Sequence, residues 1–156
     1  MDYSNISVRA SIRALETVVR PAVQATADAQ AQDQLGLVVD ALRFLEHRMS
    51  ILPQRDEFST RTAVHLAGEL AGVVASTDPD IAAELRSACR EEDATGVVRD
   101  LLRSWPSLVD EDTRRSIARL VLASERRRVE ADRAWFAPLG FDPEPESIPS
   151  LTEAWS

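Results

Sequence analysis

The stretch "LRFLEHRMS", residues 42–50, sets Glu46 beside His47 among apolar residues. A little further on, "VHLAGEL", residues 64–70, places His65 four residues before Glu69. Histidine with carboxylate is the raw material of a metal site or of general acid–base catalysis, provided the side chains converge. A wheel at about 100° per residue tests convergence on a helix. With Leu42 at zero, the apolar stripe spans roughly −60° to +60°, Glu46 falls near about +40° and His47 near about +140°. The pair points apart. With Leu66 at zero, the next stripe centres near about +25°, and Glu69 and His65 fall at about −60° and −100°. His65 and Glu69 are therefore expected as i,i+4 neighbours on a helix surface. The Glu-x-x-His pairs of di-iron bundles do not occur. The expectation is a chain with no metal site, no catalytic residue and no cofactor, more an interaction protein than an enzyme.

Composition removes further chemistries. All 18 basic residues are arginine. A Schiff-base lysine, a pyridoxal-phosphate lysine and a P-loop lysine are thus impossible. Cys89 is the single cysteine. It can form no internal disulfide and no thiolate zinc cluster, which suits a reducing cytoplasm. The net charge of −8 argues against nucleic acid as a partner. Arg126, Arg127 and Arg128 form the one dense basic run, read as a solvated helix face. Neither a signal peptide nor an apolar run of roughly 20 residues is present, so no membrane association is expected.

These side chains must be positioned by helices. With 156 residues, 44% hydrophobic and few of them aromatic or glycine, the chain suits helices packed on helices. Val8, Ile12, Leu15, Val19 and Ala22 repeat at 4-3 spacing, with Ser4 or Asn5 available as a cap. Pro21 falls inside that pattern and should kink or interrupt it. A second helix is expected over 29–49, with a stripe of Leu35, Val38, Val39, Leu42, Leu45 and Met49, ended by Pro53. A third is expected over 59–76, carrying Ala63, Leu66, Leu70, Val73 and Val74. "STDPD" starts a fourth, capped by Asp78. After "EEDATG" comes a short fifth, with Val97, Val98, Leu101, Leu102 and Trp105, stopping at Pro106. "DEDT" opens a sixth over 111–135, with Ile117, Leu120, Ser124, Arg127 or Arg128, Ala131 and Trp135 in its stripe. The expected fold is all-α: a bundle of four longer helices plus one or two short ones over residues 1–137. Residues 138–156 are expected as an extended, acidic, proline-rich tail.

Three features stand out from a plain bundle. Leu37, Phe44 and Ile51 recur every seven residues on the face opposite Leu42, so the second helix is apolar on two sides. That face is expected to be either a seam between two copies of the chain or the bed of the tail. Glu46, within the second stripe, has Arg127 or Arg128 of the sixth as a candidate partner, with Ser124, Trp135 and Met49 lining an apolar pocket. The alternative leaves those arginines in water. The tail carries apolar anchors among its prolines, Phe141, Leu151 and Trp155 chief among them, and should dock in a groove of its own chain, of a copy or of another protein.

"SIRALETVVRPAV" followed by "QLGLVVDALRFLEHRM" resembles small uncharacterised bacterial helical proteins that accompany phosphotransferase-like enzymes of the aminoglycoside or choline kinase type. The resemblance covers residues 11–49. It implies an associated protein, not a kinase, since the chain has no Gly-rich phosphate loop, no "HxD" triplet and no lysine. The functional expectation is a self-associating, non-catalytic accessory protein, with a small-molecule-binding bundle as the alternative.

Overall fold

The computed structural model describes residues 3–91, 94–104 and 110–156. The protein is all-α, with no strand among the described residues. Its internal contacts divide it into two compact units: residues 1–53 with 138–141, and residues 54–137 with 142–156. The boundaries differ from a 1–137 bundle followed by a 138–156 tail, because the first three helices hold together separately.

Unit 1 begins with α1, Tyr3–Ala14. A π-helical turn, Leu15–Val19, follows, and α2 runs over Arg20–Ala25. Ser4 and Asn5 lie inside α1 rather than capping it. The π turn is the molecule's answer to Pro21. Proline offers no N–H to the preceding turn and its ring crowds the carbonyl four residues back. The backbone widens instead, and the Arg20 N–H donates to the Leu15 carbonyl. One extra residue in the turn rotates everything beyond it. The expected stripe therefore holds at Val8, Ile12 and Leu15 but then slips by one. Val19 and Ala22 are exposed, while Arg20 and Val23 are half-buried.

Ala27 adopts a left-handed φ of 56° in the turn that follows. α3, Ala29–Arg48, is capped by Asp28, whose carboxylate accepts from the Ala31 N–H at 3.1 Å. A 3-10 turn, Met49–Ile51, leads into α4, Leu52–Val74. Pro53 does not separate two helices with a loop. It occupies the first turn of α4, where its missing N–H costs nothing.

Unit 2 is built from most of α4 with α5, Pro79–Glu91, α6, Ala94–Ser104, and α7, Glu111–Phe136. Both acidic starts behave as expected. Asp78 accepts from the Ile81 N–H at 3.0 Å, and Asp110 accepts from the Asp112 and Thr113 N–H groups at 3.0 Å. One core joins the four helices: Leu66, Leu70 and Val74 of α4, Ala82 and Leu85 of α5, Val98 and Leu101 of α6, and Ile117 of α7. The expected break around Glu92 and Asp93, and the expected stop at Trp105 and Pro106, lie outside the described residues.

The proline-rich segment is extended only in part, as at Ile148 and Ser150. Gly140, with φ +71°, turns the chain after a 3-10 turn at Ala137–Leu139. Pro145 opens another 3-10 turn, Pro145–Ser147. A short helix, α8, Leu151–Ala154, is closed at its start by a capping box between Ser150 and Glu153. Prolines at first-turn positions permit this, although none of these turns can lengthen into a regular helix.

Candidate functional site

The histidine–carboxylate residues do not converge. His65 Nδ1 lies 3.2 Å from Glu69 Oε2 in the expected i,i+4 pair on the exposed side of α4. His47 is exposed, with Nδ1 2.7 Å from the Arg43 carbonyl one turn back. Among the described residues, no group of three or more His, Cys, Asp or Glu is placed to hold a metal ion.

Glu46 is half-buried on α3, and its partner is Arg9 of α1, Nε to Oε1 at 2.5 Å. A second pair, Arg43 with Glu16, also joins α3 to the first helical stretch. Where the sequence offered Arg127 or Arg128, the partner found within unit 1 is Arg9, which reaches the stripe position from a neighbouring helix, where its charge compensates a carboxylate drawn out of water. Arg127 and Arg128 are exposed, and Arg128 pairs with Glu125 one turn back at 2.9 Å.

Trp135 is buried, 3% exposed, and stacks on Trp155 at 6.0 Å, with Trp155 also 6.4 Å from Phe58. The Arg55 guanidinium covers Trp135 at 4.6 Å and pairs with Asp132. Ser124 and Arg128 do line a pocket of about 470 Å³, together with α4 and α6. Ser124 and Arg127 border a smaller one of about 150 Å³.

Of the tail anchors, Trp155 docks within its own chain, and Arg61 donates to its carbonyl. Leu151 is half-buried on α8. Arg133 holds the approach to α8: its guanidinium grips Asp142 with two hydrogen bonds of 2.8 and 3.0 Å and donates to Ser147 Oγ at 2.8 Å. Arg133, with the Glu144 N–H, pulls the Asp142 carboxyl down to about 2. Phe141 is not an anchor of unit 2. It belongs to unit 1 and is 79% exposed.

The seam candidates on α3 have three different fates. Leu37 is 56% exposed. Phe44 is half-buried and lines an open groove of about 720 Å³ with Leu37, Arg48, Pro138, Leu139 and Phe141. The Arg48 guanidinium sits 5.8 Å from the Phe44 ring, and burial lowers its pKa. Ile51 is half-buried in the 3-10 turn. Two residues expected in the core, Val38 and Leu45, are exposed instead, at 49% and 46%. The buried side of α3 centres on Val39 and Glu46, not on Leu42. Between Leu37 and Leu45 this leaves one apolar band on the wheel. Val38, Leu45, Ala41, Leu37 and Phe44 fall between about −40° and −160°. Sequence spacing misses the band because both flanks of Leu42 are equally apolar, so periodicity alone does not say which one faces α1.

No family model, characterised protein or solved structure matches the chain.

Proposed function

We propose that the protein acts by binding rather than by catalysis, as a self-associating helical accessory protein whose seam is the apolar band of α3. The observation that carries this reading is the band itself: Leu37, Val38 and Leu45 are about half exposed on one side of a single helix. Isolated exposed apolar residues are ordinary, but a contiguous stripe of them favours a covering partner. A second copy is the occupant that fits the stripe. Two α3 helices packed antiparallel about a two-fold axis at Ala41 set Leu37 of one copy against Leu45 of the other, and Val38 against Phe44. The small alanine at the axis allows close approach, and opposed helix dipoles favour the antiparallel arrangement. The acidic and basic halves of α3, with Asp33 in one and Arg48 in the other, then meet their opposites.

In this reading the resemblance of residues 11–49 supplies a further partner class, a phosphotransferase-like enzyme of a bacterium, with the dimer as its accessory subunit. The lone Cys89 suits work in the cytoplasm. Among the described residues, no helix is long and apolar enough to cross a membrane.

Light scattering at micromolar concentration tests the seam. The wild type is expected at twice the chain mass, and Leu37→Glu with Leu45→Glu as a folded monomer. A monomeric wild type, or a double variant that stays dimeric, removes the proposal.

A further inference from the structure

Unit 2 carries an open pocket between α4, α6 and α7 whose floor reaches the core. Along α7 the stripe Ile117, Leu120, Ser124 puts a small hydroxyl where an apolar side chain would complete the packing. Along α4 the buried series Phe58, Thr62, Leu66 does the same at Thr62. The two small polar residues face one pocket of about 470 Å³, walled by Ala63, Leu66, Val98 and Leu102. Underfilling of this kind sacrifices packing energy, so a chain that does it from two helices at once points to an occupant.

The polar groups identify the occupant. Thr62 is only 7% exposed and sets its hydroxyl-bearing side chain in the pocket wall. Three guanidinium groups, Arg99 and Arg103 of α6 and Arg128 of α7, border the pocket against one carboxylate, Glu125. Arg103 makes a loose pair with Asp100 at 3.6 Å and remains 74% exposed, so it can turn to a ligand. In a chain of net charge −8 this is a local excess of positive charge at an apolar opening.

We infer that this pocket binds an amphipathic organic carboxylate, with the apolar body against Leu66 and Val98 and the carboxylate at the arginine rim. Guanidinium matches a carboxylate with paired hydrogen bonds, and the apolar walls require the body.

Calorimetric titration of the full chain with decanoate, below its micelle concentration, tests this. Saturable binding of one decanoate per chain is expected, with acetate silent for want of an apolar body and decylammonium at least tenfold weaker. Arg103→Gln with Arg128→Gln should weaken decanoate at least tenfold. Ser124→Leu should fill the pocket and abolish binding while raising the melting temperature, which separates plugging from misfolding. Leu37→Glu on α3 should leave binding unchanged, so this result stands apart from that of the dimer seam. Absence of saturable decanoate binding, full binding by a folded Ser124→Leu, or decylammonium binding as tightly as decanoate would each overturn the inference.

Discussion

Units 1 and 2 spend similar apolar sequence in opposite ways. In unit 2, Leu70, Val74, Leu85 and Ile117 are wholly buried and four helices share one core. In unit 1, among the described residues, the buried hydrophobics are Ile12 and Val39 alone. Ile6, Val18, Leu37, Val38 and Leu45 are exposed there, and charged pairs, Arg9 with Glu46 and Arg43 with Glu16, help join the helices. Exposed ion pairs contribute little compared with buried leucine. The contrast teaches that helices of comparable composition become a core or a binding surface according to how many neighbours cover them. Unit 2 can supply most of the stability, while unit 1 keeps an apolar face available.

The comparison can be broken most sharply in the core of unit 2. Ile117→Ala should lower the unfolding free energy by about 2–5 kcal/mol, whereas Val38→Ala on α3 should change it by less than about 1 kcal/mol in the monomer. Denaturant titration of both variants measures the gap, and equal losses would erase the distinction. Trp155→Ala should come next, at about 2 kcal/mol, because the ring stacks on Trp135 and Phe58 but is itself half-buried. Near-ultraviolet circular dichroism should lose the signal of the aromatic cluster at the same time.

Unit 1 offers a change in the other direction. Ala27 holds a left-handed φ that suits glycine, so Ala27→Gly should stabilise by about 1 kcal/mol. Thermal melts with hydrogen exchange on α3 amides would show whether the gain stays local. The smallest effect concerns acid. The folded-state carboxyl of Asp142 is held at about 2, below its unfolded value, so its contribution is complete above the ordinary carboxylate range and is lost as pH falls toward 2. Asp142→Asn should flatten the fall of stability between about pH 4 and 2 without altering its slope near neutrality. Melting curves across that range, wild type beside variant, provide the check.

Helix identity was legible in the residues because each helix carries its own signals. The 3.6-residue period marked α3 to α7, and Asp78 and Asp110 announced starts that the caps bear out. The surface pairing of His65 with Glu69 followed from spacing alone, since i,i+4 geometry is internal to a helix. Pro53 was misleading because a proline reads alike after one helix and in the first turn of the next. The slip of the first stripe after Leu15 was hidden as well: Pro21 announces a disturbance but not whether the chain kinks or adds a residue to the turn.

The sequence by itself determined helices α3 to α7, most of their ends, the absence of lysine chemistry and the doubled apolar character of α3. Tertiary structure alone decided which flank of α3 is buried, that Glu46 takes Arg9 of α1, and that Ser124 and Thr62 open one pocket together. The physical reason is common to all three. Period and capping are local, with energies set within a few residues, whereas burial, charge pairing and cavities depend on which other helix arrives opposite, and that is a property of the whole packed chain.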